Sequence, residues 1–376
     1  MSKLIPILIG AFFWAYFTQR TTRGRYGVEK RQSLQNRFLF FMLVLTLALP
    51  ITLRTTYNDT GAYINGFLNA ESLEVLLQSG DLHILRNPAF KVYESLIRSF
   101  TDNPCIFFLF PAFFVQYSYL RFIRRHSTSL VMGLAMYLFL GTYTFSIAAM
   151  KQTVAMAILL YAVDALIERR NIHFYLLVFV AFLFHTYAVS FLILPFFTTK
   201  PWTPRTLLLL LAVLLVMQNF EAVITSFLEV ANESGKNVSS SELIGTAAIN
   251  PIRLAVYAVT PLFALVFRRY LFMGRSNREY QILVNMSIIT VMIMSIGLIS
   301  AANMFARMGQ YFEFGLICSL PWMLDKIFER RSAQMVATAA VACFVGYFCY
   351  ANLVQIYFDD HFGRYTLAQF IQSLLS

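Results

Sequence analysis

Charged residues are scarce in this chain of 376: they make up 13% of it, against 58% hydrophobic residues and 38 phenylalanines. That balance excludes a single soluble core of ordinary composition. Cysteine is nearly absent. Cys105, Cys318, Cys343 and Cys349 all lie inside apolar segments without metal-ligand spacing, so they read as small core residues. No G-x-x-x-x-G-K-[ST] stretch occurs, which excludes nucleotide chemistry through a P-loop. There is no internal repeat and no soluble domain. No A-x-A-like cleavage site follows the first apolar run, so Leu4 to Thr18 reads as a retained helix.

What the sequence does hold is a series of apolar runs, such as the uncharged sixteen residues from Phe38 to Leu53. Crossing a bilayer takes about 20 mostly apolar residues, and roughly eleven or twelve candidate stretches are present. They are 4–18, 38–53, 104–120, 128–148, 152–167, 172–197, 206–220, 252–267, 281–303, 308–324 and 333–356. The expected fold is an all-α polytopic membrane protein, with 1–376 as one integral membrane domain. Although the net charge is +11, Lys and Arg cluster in the short connections 19–37, 121–127, 168–170, 268–279 and 325–331. That pattern is a topology signal and gives no support to a nucleic-acid partner; the positive-inside rule places those connections in the cytoplasm.

Simple alternation obeys this rule only as far as residue 171. The economical repair makes NIHFYLLVFVAFLFHTYAVSFLILPFFTTK a helical hairpin or a pair of broken helices, with His185 at the turn towards the outer face. A rival repair, in which 206–220 does not span, also leaves His185 within the membrane. Two long outer segments follow. In 54–103, FLNAESLEVLLQ and FKVYESLIRSF read as amphipathic helices lying along the membrane. In 219–250 a Ser/Asn/Gly-rich loop follows a short helix and either covers a site or merely connects.

Outer-face cations are the informative residues, because topology depletes them and an unpaired charge in a membrane is expensive. They are Arg54, Arg86, Lys151, Arg253 and Arg307. Arg54 closes the second run, either as an interfacial anchor or as a functional group. Lys151 and Gln152 sit between two apolar spans with almost no loop. Arg307 opens ARMGQYFEFG, with Tyr311 one turn on and Glu313 at i+6 on a different face. His185 is the one histidine inside an apolar run, and Asp59 reads either as a helix cap or as a base. Asp359 and Asp360, beside His361, lack metal spacing and read as solvated surface. Cations against low-dielectric walls suit an anionic group, and arginine forks suit phosphate. The same segments would admit a lipid tail from the side.

In order along the chain come a D-x-x-x-Y motif (Asp59 to Tyr63), N-P-A-F leading to VYESLIRSF, MKQTVAMAILLYAVDALIERRN, FLFHTYAVSFLILPF and ARMGQYF. This order resembles the EpsG-like, Wzy-type polysaccharide polymerases of bacteria. Lys151 stands where the family often has arginine, and Asn87 stands where it often has an acid.

The resemblance implies a multi-pass protein of the bacterial cytoplasmic membrane with an outward-facing site. There a glycan on undecaprenyl diphosphate would be moved onto the sugar hydroxyl of another lipid-linked repeat unit. Donor and acceptor would both be undecaprenyl-diphosphate-linked oligosaccharides, membrane lipid would surround them, and other polysaccharide export proteins are candidate partners. Arg54, Lys151 and Arg307, with Arg253 as a fourth, would hold the diphosphate. His185, ahead of Asp59, would be the base, with Tyr63, Gln152, Tyr311 and Arg86 against substrate. No cofactor or metal is expected. A flippase or transporter of the same lipid, or a glycan ligase, would use the same cleft.

Overall fold

The computed structural model describes residues 3–22, 33–79, 87–219, 222, 249–273, 277–298, 303–353 and 358–375. Arg86 and nearly all of the 219–250 loop lie outside the described residues. The protein is all-α. Among the described residues five helices are long and apolar enough to cross a membrane, and one bent pair would make a sixth. Four shorter apolar helices fall in the runs at 172–197, 206–220 and 252–267.

The chain divides into two compact units. Unit 1 comprises residues 1–165, 170–189 and 337–376. It contains α1 (Ile5–Thr22), α2 (Leu34–Thr52), β1 (Arg54–Thr56), α3 (Thr60–Leu68), α4 (Leu73–Ser79), α5 (Pro88–Arg98) and α6 (Pro104–His126). Next come α7 (Leu130–Phe139), α8 (Thr142–Ala148), α9 (Met150–Ile167) and α10 (Asn171–Phe184). The amphipathic helices read in 54–103 form as α4 and α5.

Two breaks matter. The run 128–148, read as one span, is α7 and α8 bent by 55°. The bend sits at Gly141, whose φ of +90° is left-handed backbone that a side chain would strain. The run 172–197 breaks where the sequence suggested: α10 stops at Phe184, His185 is extended (φ −154°, ψ 121°), and a 3₁₀ helix runs from Thr186 to Phe197.

Buried polar groups pin one end of unit 1. Asn36 on α2 donates to Thr18 O (2.9 Å) and Thr21 Oγ1 (2.7 Å) of α1, and accepts from Arg124 of α6. Asp164 on α9 collects His126 Nε2 at 2.7 Å, Arg121 at 2.8 Å and Arg125 at 3.4 Å. The basic stretch RFIRRHS is therefore helical and packed, not a loose connection. Helices α1 and α2 approach closely where Gly10 faces Thr46: a Cβ there would lie 3.1 Å from Thr46 Cγ2.

The other end of unit 1 is closed by residues from both ends of the chain. After α17 (Arg330–Ala351) come α18 (Phe358–His361), β2 (Gly363–Arg364) and α19 (Leu367–Leu375). Strands β1 and β2 form a two-stranded antiparallel ribbon that sets Arg54 opposite Arg364 and Thr56 opposite Gly363. Phe358 and Phe362 pack on Tyr57 at 5.1 and 6.1 Å between ring centroids. Lys3 Nζ donates to the carbonyls of Asp359 (2.5 Å) and Phe362 (2.8 Å), and Asp359 Oδ1 accepts from the Lys3 N–H at 3.1 Å. Asp359 thus fastens the N-terminal residues, contrary to its reading as solvated surface, while Asp360 is exposed.

Unit 2 comprises residues 166–169 and 190–336. It holds α11 (Pro204–Gln218), α12 (Pro251–Val266), α13 (Arg268–Leu271), α14 (Arg278–Ile296), α15 (Asn303–Gln310), α16 (Phe314–Ile327) and the start of α17. Gly315 lets α16 touch α14, since a Cβ there would stand 2.4 Å from both Leu283 O and Met286 Cβ. Asn285 on α14 donates to Phe197 O (2.6 Å) and Thr199 O (2.8 Å), satisfying carbonyls at the end of the 3₁₀ segment.

Candidate functional site

Arg54 leaves the end of α2 and turns inward. Its side chain is 1% exposed, the largest of the fully buried side chains. The ribbon explains this placement, because pairing with β2 fixes the backbone of residue 54. The guanidinium carbon stands 4.0 Å from the Phe108 ring centroid, an arrangement attractive in itself. Its Nη2 meets only the sulfur of Met150, at 3.8 Å. Among the described residues Nε finds no hydrogen-bond acceptor. Burial lowers the pKa of this guanidinium from its ordinary value to about 10, opposed by nearby Tyr63 and Asp59, so it remains charged at neutral pH. Beside it lies a cavity of about 10 Å³ that Pro111, Ser146 and Thr153 help to line, room for about one water.

Lys151 belongs to the same cluster. It lies in the first turn of α9, where the positive end of the helix disfavours a cation. Its Nζ is 4.6 Å from the Phe90 ring centroid and 5.7 Å from that of Tyr63. The Lys151 N–H donates to Tyr63 Oη at 3.4 Å. Tyr63, Phe67, Phe90, Ile97, Phe107, Phe108 and Met150 form one buried aromatic cluster. Its members come from α3, α5, α6 and α9, so four helices fix the two cations. A buried guanidinium, a lysine and a helix N-terminus against a low-dielectric wall are groups that would suit an anion.

His185 is tied to this cluster through its neighbour: Phe184, the last residue of α10, packs against it. The half-buried imidazole meets the Tyr187 ring edge-on at 5.1 Å. Gln152, also on α9, is buried. Asp59 occupies the cap position of α3 but its side chain makes no capping hydrogen bond. Thr60 Oγ1 donates to Tyr57 O at 2.6 Å and ties the start of the helix to the preceding turn. The exposed carboxylate acts on Arg54 electrostatically. Asn58, at φ +43°, makes the left-handed step that turns the chain between ribbon and α3.

Of the remaining residues expected at the site, Arg86 lies outside the described residues and Arg253, Arg307 and Tyr311 lie in unit 2. Glu313 is fully buried and its Oε1 accepts from Tyr257 Oη at 2.9 Å. Arg253 stands over the Tyr257 ring, 5.4 Å from its centroid. Tyr311 is buried and Arg307 is half-buried, in the last turn of α15 where the helix dipole favours a cation.

Two features escaped the sequence reading. Phe108 is the aromatic floor under Arg54, indistinguishable in sequence from the other phenylalanines of α6. Glu94 is a buried carboxylate, 2% exposed, with Oε2 at 2.8 Å from Lys91 Nζ. A signal for Glu94 was present: with Phe90 and Ile97 at helical spacing, it puts an acid in the apolar stripe of α5.

The EpsG family model matches residues 37–367. The chain belongs to the EpsG family. No curated protein and no solved structure matches it. EpsG membership suggests a polysaccharide polymerase-type function, of glycosyltransferase character. The match takes in every element of the Arg54–Lys151 cluster and the ribbon that carries it.

Proposed function

We propose that this EpsG-family protein polymerises undecaprenyl-diphosphate-linked oligosaccharide repeat units at the outer face of a bacterial cytoplasmic membrane. The observation that carries this reading is the Arg54 guanidinium, buried with no acceptor for Nε among the described residues and packed, like Lys151, against one buried hydrophobic cluster. A buried cation is costly unless something compensates it, and a diphosphate does so with two charges and several acceptor oxygens.

The reaction makes two demands. The acceptor hydroxyl attacks the anomeric carbon of the donor sugar, the C–O bond to the diphosphate breaks, and the leaving oxygen takes the electron pair. Arg54 and Lys151 stabilise that growing negative charge, and each such contact is worth about 3–4 kcal/mol. His185 accepts the hydroxyl proton and passes it to water. Tyr63 and Gln152 position the substrate beside Lys151. Asp59 tunes the charge of Arg54 from the rim. Following the family resemblance, Arg307 and Arg253 are proposed to hold diphosphate and Tyr311 to contact substrate.

Orientation rests on charge. Arg121, Arg124 and Arg125 gather at the α6 end away from Arg54, and the positive-inside rule puts that end in the cytoplasm. The Arg54 end then faces out. The test is direct: purified protein in nanodiscs, given lipid-linked repeat units, releases undecaprenyl diphosphate and lengthens the glycan. Substrate carried across the bilayer unchanged would instead identify a flippase. Transfer only onto a foreign acceptor would identify a ligase.

A further inference from the structure

Between the end of α5 and the start of α6 the chain turns through Ser99–Asn103, and this loop walls one side of an open cavity of about 660 Å³. Tyr365, just past β2, walls the other side. The volume falls within the usual range for small-molecule sites. Its lining mixes two kinds of group. Phe100 is 81% exposed and Tyr365 40%, so two aromatic rings stand in solvent beside the opening. Arg98 and Asp102, paired with each other, also line it, and Thr101 and Asn103 add hydroxyl and amide groups.

We infer that this cavity is a carbohydrate subsite, taking the sugar rings that the Arg54–Lys151 site holds by their diphosphate. A pyranose offers a flat C–H face, which lies on aromatic rings, and a rim of hydroxyls that each donate and accept. The lining answers both needs. Because Arg98 is already neutralised by Asp102, the cavity offers no net positive charge to a phosphate. Paired donors and acceptors match hydroxyls instead. The loop is held in shape without a ligand: Arg98 Nε donates to Leu68 O at 3.3 Å, the Asn103 N–H donates to Thr101 Oγ1 at 3.1 Å, and Asn103 Oδ1 caps α6 through the Cys105 N–H at 2.9 Å.

Position supports the same assignment. The Tyr365 N–H donates to Leu53 O at 2.8 Å, and the next residues on each side, Arg364 and Arg54, are partners in the ribbon. On the opposite wall α6 begins at Pro104, and Phe108, one turn further, carries the Arg54 guanidinium. Cavity and cation therefore share both of their supports. In a lipid-linked sugar the first ring is bonded directly to the diphosphate, so its subsite has to adjoin the cations.

This inference rests on the proposed function, and the experiment separates the two. Full-length protein in nanodiscs is mixed with short oligosaccharides released by mild acid from the surface polysaccharide of the producing cells. Saturation-transfer NMR reads their binding, and undecaprenyl diphosphate binding is measured separately. Wild type should bind both. Phe100→Ala, Tyr365→Ala and Asp102→Asn should each weaken oligosaccharide binding about tenfold or more and leave undecaprenyl diphosphate unaffected. Arg54→Met should do the reverse. Oligosaccharide binding that is absent in wild type, or equal in wild type and all three cavity variants, overturns the subsite. So does loss of undecaprenyl diphosphate binding in the cavity variants, which would make the cavity part of the phosphate site. Sugar binding without any undecaprenyl diphosphate binding would sink the diphosphate reading and leave the subsite standing.

Discussion

Replacing Arg54 by methionine should move stability and activity in opposite directions. Burial takes the guanidinium from its ordinary value down to about 10, and at 1.36 kcal/mol per pH unit this is roughly 3 kcal/mol against the charged form. The Phe108 contact returns about 2 kcal/mol, the value for a desolvated cation on an aromatic face. The folded protein without substrate therefore gains little from Arg54, and methionine, similar in length and uncharged, removes the penalty. The variant is expected to be between unchanged and about 3 kcal/mol more stable, while elongation falls about 10²–10³-fold for loss of one preorganised cation. The sign with pH is fixed as well. The folded-state value is depressed, so the unfolded chain binds the extra proton only between about pH 10 and the ordinary guanidinium value, and the penalty is constant below that window. The stability gap between wild type and variant should thus be flat from about pH 6 to pH 9. Thermal unfolding in nanodiscs and gel analysis of glycan length provide the two readouts. A variant destabilised by more than about 2 kcal/mol with normal elongation would refute the reasoning, because it would mean that Arg54 is a satisfied structural cation.

Other substitutions probe the rest of the arrangement. Lys151→Ala should reduce elongation about 10²-fold or more, and Lys151→Arg should retain most of it, as charge is what the first turn of α9 supplies; the rate of undecaprenyl diphosphate release distinguishes them. His185→Gln should lower that rate about 10²–10⁴-fold, while an unaltered rate would take His185 out of the reaction. Asp59→Asn should leave unfolding unchanged, since the side chain makes no capping bond, and should slow elongation less than about tenfold. A loss as large as that of His185→Gln would make Asp59 the base. Gly315→Ala should destabilise unit 2 by about 3 kcal/mol or more, because its Cβ would overlap the Leu283 carbonyl; a normal unfolding temperature would contradict the close packing of α14 and α16.

Much of the architecture is legible in the apolar runs, because a run's length and the polar residues that end it are local properties. The break at His185 was legible for a related reason: the charge alternation of the connections demanded an extra reversal there, and α10 does stop at Phe184. The bend at Gly141 was not, because a glycine inside an apolar run is compatible with a straight helix until neighbouring helices choose otherwise. Candidate site residues were found by being polar where polarity is expensive. That criterion picks out Arg54, Lys151 and His185 as candidates. It passes over Phe108, whose role exists only because a guanidinium lies against it.

What the sequence determined by itself is the membrane class, the helical content and the short roster of cations out of place, all of which follow from composition and one-dimensional pattern. Tertiary structure alone decided that Arg54 is buried and that residues 358–365 return to close the end of unit 1 from which it projects. It also decided that Lys151, Tyr63 and Phe108 meet in one cluster. The physical reason is separation along the chain. Arg54 and Arg364 stand opposite each other across some three hundred intervening residues, and no local periodicity encodes which distant backbone will supply a partner for a strand edge.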